Sequence, residues 1–432
     1  MSHRTPAGCA AEVGSGAAAA VLLASLMAGV ATRADSQVLL FSPETLHGVV
    51  DVRLAGADGE RSFTGGGFGK TIYGGDGSAS LQGHANVALA ALEWTPSINW
   101  DWNAVVDVAY QPGQEHDVDL LQAYAVFKPT PRSATRFQAR FGYFYPPVSL
   151  ENDRRVWGLT DTITPSAINS WIGEEVKVVG AEASVSHDFG GDKVAATGAL
   201  FGYDDTSGTL LSYRGWALDD RQSQLTGSFP LPPRSPFFDQ IQSDDTYSAV
   251  EIDHRLGYYA KLAWSSGEAP ITLEALRYDN RGDRTSIVAP RQWAWATSFT
   301  DLGATAKIGE HTRLKAQALS GRTQMGFETP AGLWVDVNFR SAYLSATQDV
   351  GANSLTLRAD MFDVKDRSLA FGDDKNEHGW ALTGAWRRPL NKYLDWRLET
   401  LWVESARLER VLAGEAPRQA QTTLQSSLRA TF

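Results

Sequence analysis

The last twelve residues of the chain alternate between apolar and polar side chains. The apolar positions are Leu424, Leu428, Ala430 and Phe432. The polar positions are Gln421, Thr423, Gln425, Ser427, Arg429 and Thr431. Alternation with a period of two predicts a β-strand that has one apolar and one polar face.

Sixteen stretches of the chain share this period-two character. They cover residues 46–57, 86–95, 100–111, 117–128, 135–146, 176–188, 192–204, 252–265, 270–279, 292–308, 311–324, 334–348, 353–365, 378–388, 393–405 and 419–432. Short connections such as 189–191 and 309–310 alternate with long ones such as 147–175, 205–251 and 325–333. Outer-membrane barrels have short periplasmic turns and longer external loops. The pattern therefore predicts an all-β fold, a transmembrane antiparallel up-and-down β-barrel of about 16 strands.

Most charged residues of these stretches occupy the face opposite the apolar one. In 334–345, for example, Val335, Val337 and Phe339 share one face, and Asp336 and Arg340 lie on the other. About sixteen strands enclose more volume than side chains can fill, so we expect polar faces to line a water-filled lumen and apolar faces to contact lipid. The expected basic lumen residues are Arg140, Arg255, Lys261, Arg313, Lys315, Arg340, Arg358, Arg397 and Arg429. The expected acidic ones are Asp107, Glu182, Glu274, Asp336, Asp360, Asp395 and Glu399.

Aromatic residues cluster near the predicted strand ends. They are Trp94, Trp100, Tyr143, Tyr145, Trp264, Trp386, Tyr393 and Trp402. Tyrosine and tryptophan form girdles at the two membrane–water boundaries of outer-membrane barrels. We therefore expect these side chains to point outward.

Residues 1–34 are predicted to be an export signal. The apolar run 17–31 carries no charge and is shorter than the roughly 20 residues that a membrane-spanning helix needs. Cleavage is expected after Ala34, with Ala31 as the second choice. The alternative is that this run is a membrane-anchoring helix.

The rest of the chain is predicted to hold a short periplasmic N-terminal segment, 35–45, and the barrel, 46–432. The segment 35–45 is too short for the folded plug of a TonB-dependent receptor. Cys9 is the one cysteine of the chain and lies in the predicted signal. The mature chain would therefore hold no disulfide framework and no thiolate metal site.

Charge and histidine placement narrow the function further. The formal net charge of −11 argues against a nucleic-acid partner. The histidines beyond the signal lack the spacing of a catalytic or metal site; they are His47, His84, His116, His187, His254, His311 and His378. We therefore predict no enzymatic activity, no cofactor and no metal site. The enzymatic alternative, an outer-membrane phospholipase or protease, would need a Ser–His or Asp–His constellation.

The segment 141–152, FGYFYPPVSLEN, resembles the strand and following Pro-Ser-x-Glu segment of phosphate-selective porins. The whole mature chain is similar to bacterial outer-membrane porins in length, in strand rhythm and in its terminal Phe432. The resemblance implies a trimeric, water-filled channel whose third external loop narrows the lumen. Phosphate specificity is not carried over, because the chain has no matching run of lysines and no arginine ladder.

The third long connection, 147–175, is accordingly the predicted constriction. Charges in a confined site act on a passing ion more strongly than charges in bulk water. The constriction candidates on the loop are Glu151, Asp153, Arg154 and Arg155. The candidates on the wall are Arg140, Arg313, Lys315, Arg340, Arg358 and Arg397. The alternative is a solvated surface loop whose charges only keep it soluble.

Two other long connections are also expected outside the barrel. The proline-dense segment 229–238 in loop 205–251 could latch onto a neighbouring subunit or cap the pore, or could be an ordered surface loop without a partner. The glycine-rich segment 65–77 has the wrong lysine spacing for a phosphate loop, so a flexible external loop is expected.

The resulting functional prediction is a porin in the outer membrane of a Gram-negative cell. It would be a passive diffusion channel for small polar or ionic solutes, and its partners would be outer-membrane lipid and two further copies in a homotrimer. A channel specific for a saccharide or a hydrophobic compound, and a plugged surface-binding barrel, are the alternatives.

Overall fold

The computed structural model describes residues 40–368 and 372–432. Sixteen antiparallel strands form one closed barrel. They are β1 (Leu46–Ala57), β2 (Gln82–Trp94), β3 (Trp102–Tyr110), β4 (Val118–Phe127), β5 (Thr135–Phe144), β6 (Val178–Asp188), β7 (Lys193–Gly202), β8 (Gly257–Ser265), β9 (Ile271–Asp279), β10 (Ala296–Ile308), β11 (Thr312–Thr329), β12 (Gly332–Val350), β13 (Asn353–Asp366), β14 (Glu377–Pro389), β15 (Leu394–Arg407) and β16 (Arg418–Thr431). Each strand pairs with its neighbours in the chain, and β1 closes the barrel on β16. The predicted fold class and strand count are confirmed.

Apart from a few residues at their ends, the strands lie where the alternating pattern predicted them. Residues 252–256 and 292–295, which were predicted to be strand, lie before β8 and β10 and outside the barrel sheet, and one connection differs. Residues 325–333 were predicted to be a long loop, but β11 continues to Thr329 and β12 begins at Gly332. The Thr329 hydroxyl donates to the Gly332 carbonyl oxygen at 2.9 Å across this tight turn. The prediction was wrong because the two strands extend beyond the stretches of clear alternation and leave only a tight turn between them.

Helices are few and short. They are α1 (Ala167–Glu175), α2 (Thr209–Tyr213) and α3 (Pro236–Ile241), with 3₁₀ turns at Phe63–Gly65 and Leu408–Ala413. Two small two-stranded sheets pair Ser228–Pro230 with Asp245–Tyr247, and Ile287–Val288 with Gln292–Trp293. Within residues 40–368 and 372–432, no helix is both long and apolar enough to cross a membrane.

The closing strand β16 has the two faces that its sequence predicts. Gln425, Ser427 and Arg429 are buried inside the barrel, whereas Leu424 and Leu428 are exposed on its outside. The barrel encloses polar side chains on this strand because the outer face is the one that meets the apolar surroundings.

Strand β12 has the opposite arrangement over its external half. Val335, Val337 and Phe339 were predicted to face lipid, but they are at most 1% exposed and belong to an interior apolar cluster. Arg340 was predicted to face the lumen, but its side chain lies on the outer surface with 71% of its area exposed. The assignment was inverted because the lumen beside β12 holds folded loops instead of water.

The aromatic positions divide between the outside and the inside. Trp386 and Trp396 meet edge to face at 5.1 Å, and Trp380 and Trp402 at 4.5 Å, on outward-facing positions. In these pairs the predicted girdle residues Trp386 and Trp402 face outward. Two other predicted girdle residues, Tyr143 and Tyr145, are instead buried inside. Their rings pack on the Lys177 ammonium at 4.9 and 4.1 Å, a contact that holds them there.

Candidate channel constriction

The connection between β5 and β6 crosses the interior of the barrel. Its ends lie on β5 and β6, but its middle contacts strands far along the sheet. The Gln317 amide on β11 donates to the Val148 carbonyl oxygen at 2.9 Å. Arg397 on β15 donates to the Leu159 carbonyl oxygen at 2.9 Å. This connection, residues 145–177, is called the crossing loop below.

Helix α1 forms the buried end of the crossing loop, and its start is capped from within the loop. The Ser166 hydroxyl accepts from the Asn169 backbone N–H at 3.3 Å, as an N-cap residue should. The Glu151 carboxylate accepts from the Ser166 backbone N–H at 2.9 Å and from the Asn169 side chain at 2.6 Å. Glu151, a predicted constriction residue, therefore holds the loop in shape.

Arg358 on β13 joins the crossing loop to the wall. Its side chain is fully buried and bonds Asp360 at 2.8 Å and Glu151 at 3.1 Å. It also donates to the carbonyl oxygens of Thr164 and Pro165, at 2.7 and 2.9 Å. A buried arginine needs such complete pairing, because removing a charge from water is costly. All of these donors are occupied, so Arg358 is placed to anchor the loop.

A second anchor lies on β15. The Glu399 carboxylate accepts from the backbone N–H groups of Ile163 and Thr164, at 2.6 and 3.1 Å. Arg397 donates to the Leu159 and Thr162 carbonyl oxygens, at 2.9 and 3.2 Å. The backbone groups of the loop have no neighbouring strand here, and these wall side chains serve as their hydrogen-bond partners. Backbone polar groups that are buried away from water are thereby satisfied.

A second inward segment packs on top of α1. It is the first part of the connection between β7 and β8, residues 204–224, whose side chains are nearly all buried. The Trp171 ring of α1 lies 6.0 Å from the Trp216 ring, 5.4 Å from Phe299 and 5.1 Å from Phe339. Arg214 bonds Glu174 through two parallel contacts of 2.7 and 2.5 Å. We call the cluster of Trp171, Trp216, Phe299, Phe339, Val335 and Val337 the dry core.

The other side of the interior is charged. Arg53 on β1 bonds Asp51 at 2.9 Å and also pairs with Asp220 of the inward segment. Arg155 pairs with Glu93, and Arg154 bonds Asp395 at 2.9 Å. We call this side the polar seam. Its wall residues are Asp51, Arg53, Glu93, Asp395, Arg397 and Arg429.

A small gap remains along the polar seam, between the crossing loop and the wall. It holds about 30 Å³, and Arg429, Asp220, Asn152 and Gln222 are among the residues that line it. A water needs roughly 10–15 Å³ of such space. The gap therefore has room for a water or two, and this part of the interior is narrow.

The predicted constriction charges all have acidic or basic partners. Lys315 lies 3.1 Å from Asp161 and 3.5 Å from Asp153, and Arg313 lies 3.0 Å from Asp161. Arg140 bonds Glu182 at 2.8 Å, on the wall that carries the start of the crossing loop. The lining is therefore mixed in sign instead of basic.

The structure brings most of the predicted residues to the crossing loop or its contacts. They are Glu151, Asp153, Arg154, Arg155, Arg313, Lys315, Arg358 and Arg397. Arg340 does not belong to this group, since it pairs with Asp363 at 3.4 Å on the outer surface.

Sequence reasoning missed Asp219, Asp220 and Arg221, which reach the gap from the inward segment. The missed signal was the segment 209–218, whose leucines and aromatic residues are unusual for a surface loop.

Solved structures of outer-membrane proteins share this closed-barrel fold. The outer membrane channel DcaP of Acinetobacter baumannii is similar, with a TM-score of 0.52 and 10% identity over 90% of this chain and 99% of that chain. The loop L8 deletion mutant of OmpT, an outer membrane protein of Vibrio cholerae, has a TM-score of 0.50 and 8% identity over 90% of this chain and 99% of that chain. At such identities the likeness concerns the fold alone. No protein-family model and no curated protein sequence matches the chain.

Proposed function

We propose that this chain is a passive diffusion channel of the Gram-negative outer membrane for small ions and small polar solutes. The observation that carries the proposal is the crossing loop, which divides the barrel interior and leaves a charged gap along the polar seam. Export by the predicted signal 1–34, which lies outside the described residues, and assembly into a homotrimer are parts of the same proposal.

The proposed path runs between the crossing loop and strands β1, β2, β15 and β16. Arg429 and Asp220 line the small gap on this path, and Arg154 and Arg155 lie beside it with their acidic partners. Charges of both signs create a field across the path and little net charge along it. The channel would therefore select first by size and only weakly by the sign of the charge.

The test is single-channel conductance of the refolded mature chain in a planar bilayer, with the reversal potential under a salt gradient. We expect small, discrete conductance steps and a weak preference for one ion sign. Arg429→Ala, which removes a lining side chain, should raise the conductance. The matched control is Arg418→Ala, whose side chain is 75% exposed at the outer end of the same strand and whose loss should leave the conductance unchanged.

A second candidate is a plugged barrel that binds a partner at the cell surface without conducting. The dry core favours it, because close-packed apolar side chains leave no route for ions on that side of the interior. If correctly folded wild-type barrels insert and neither they nor the Arg429→Ala barrels conduct, the channel proposal fails and the plugged barrel replaces it.

A further inference from the structure

Carboxylate side chains from both ends of the longest connection, residues 203–256, lie close together at the external mouth of the barrel. Asp205 comes from the start of the connection, and Glu251 and Asp253 come from its end. One carboxylate oxygen of each residue lies within 4.8 Å of those of the other two. Like charges repel at this distance, so the three carboxylates need hydrogen-bond donors or a positive charge beside them.

Backbone groups orient these carboxylates but do not neutralise them. Asp205 accepts from the N–H groups of Ile252 and Asp253, at 2.5 and 3.1 Å. Glu251 accepts from those of Tyr203 and His254, at 3.1 and 2.7 Å. Each of the three carboxylates still has lone pairs to offer.

Basic side chains do not supply the missing charge. Among residues 40–368 and 372–432, no lysine or arginine forms an ion pair with Asp205, Glu251 or Asp253. The adjacent Arg255 bonds Asp283 at 2.9 Å instead. The His254 ring lies 3.9 Å from Glu251 and is exposed to solvent.

A fourth carboxylate next to the group is buried, and one of its two oxygens has no hydrogen-bond partner in the part of the chain that the structure describes. Asp204 is 1% exposed, and its Oδ2 atom accepts no hydrogen bond from the described residues. The charges of Asp205, Glu251 and Asp253 lie close enough to act on this carboxylate. A cation at this point would supply the partner that the buried oxygen lacks and the positive charge that the three clustered carboxylates lack.

We propose that Asp205, Glu251 and Asp253, with Asp204 beside them, form a binding site for one Ca²⁺ ion. Calcium takes six to eight oxygen ligands in flexible geometry, and carboxylates from loops together with water suit it. The ion would join the two ends of the connection. Because the inward segment 204–224 begins at this site, bound Ca²⁺ would also fix the entry of that segment into the barrel.

The test uses the refolded full barrel, free of lipopolysaccharide, which binds divalent cations itself. After dialysis against a chelator, the protein is titrated with CaCl₂ by isothermal titration calorimetry. We expect one Ca²⁺ per chain, with a dissociation constant on the order of 10⁻⁴ M or tighter. Asp205→Asn, Glu251→Gln and Asp253→Asn combined should abolish the binding.

The control is Asp239→Asn with Asp244→Asn, which removes two exposed carboxylates of the same connection that bond Arg234. It should bind Ca²⁺ as the wild type does. Should the triple variant not refold, Asp253→Asn alone should weaken binding at least tenfold. Absence of binding to the wild type up to about 100 times that dissociation constant, or equal binding by cluster and control variants, overturns the proposal.

Discussion

The two sides of the barrel interior are filled in different ways. On the side of β10 to β13, Phe299, Val337 and Phe339 pack against Trp171 and Trp216 of the inward loops. On the side of β1, β2, β15 and β16, the wall carries paired charges such as Arg53 with Asp51. Loops from the same end of the barrel thus meet an apolar wall on one side and a charged wall on the other.

This difference between the two walls suggests two separate roles. The apolar wall holds the inward loops in place, and the charged wall faces the proposed path. Burial of apolar area stabilises at roughly 25 cal/mol per Å² and gains from close packing. Buried ion pairs contribute little net stability, because desolvation offsets their attraction, but they fix geometry. The dry core should therefore set the stability of the inward loops, and the polar seam should set which solutes pass.

The largest expected effect comes from removing the centre of the dry core. Trp171→Ala should cost about 3–5 kcal/mol of packing free energy, because the ring is fully buried against three aromatic partners. The crossing loop should then leave its position in a fraction of molecules. Single-channel conductance should rise and become irregular, while heat-modifiability on a gel shows that the barrel itself remains.

The control for this variant is Trp100→Ala. That ring is 89% exposed at the periplasmic end. Its loss should change neither the conductance nor the resistance of the crossing loop to proteolysis. Equal behaviour of the two variants would show that the dry core does not hold the loops.

A smaller effect is expected from pH, through Glu175 beside the dry core. Burial raises the pKa of Glu175 to about 7, although the Trp171 indole and the backbone N–H groups of Leu210 and Gly208 bond its carboxylate. A carboxyl whose folded-state pKa is raised contributes stability below its unfolded pKa, and this contribution is lost as pH rises through about 7. The crossing loop should resist proteolysis better at pH 5 than at pH 8.

The comparison that isolates this effect is Glu175→Gln, which cannot ionise and should flatten the pH dependence. The exposed Glu268→Gln in a periplasmic turn should leave it as in the wild type. A Glu175→Gln barrel with an unchanged pH profile would assign the dependence to other groups.

The smallest effect on stability is expected at the polar seam. Arg154→Gln removes a partly exposed ion pair with Asp395, and such pairs contribute about 0–1 kcal/mol. Selectivity should respond more clearly, because the acidic partner stays beside the path, and the reversal potential should shift towards cations. The control is Arg132→Gln, which removes the same charge from an exposed periplasmic turn. It should have the same reversal potential as the wild type.

The strands were predictable because the outer face is apolar on most strands of the barrel. Alternation located β1 to β16, and on β16 it also assigned the two faces. On β12 it failed, since Val335 and Phe339 meet apolar loops inside, so the apolar face no longer marks the outside. Periodicity reports that the two environments of a strand differ, but it does not say which of them is the lumen.

The loops were less predictable because their partners lie far away along the chain. The sequence indicated that the crossing loop is a constriction, but it could not show that Arg358 is enclosed by Glu151 and Asp360. Glycine-rich 65–77 was expected to be flexible and external, yet Lys70 is buried there against Glu377. Gly69 allows this packing, because a Cβ at that position would overlap the Arg61 carbonyl oxygen.

The crossing loop also bears on how the molecule assembles. Its anchor residues on β13 and β15 lie far beyond β5 and β6 in the sequence. The loop can therefore dock only after these strands of the opposite wall have formed. Contacts of such long sequence separation form late and slowly. Once docked, the loop connects the wall of β5 and β6 to the facing wall of β13 and β15 across the barrel. It would therefore resist flattening by lateral pressure in the membrane, a mechanical role separate from transport.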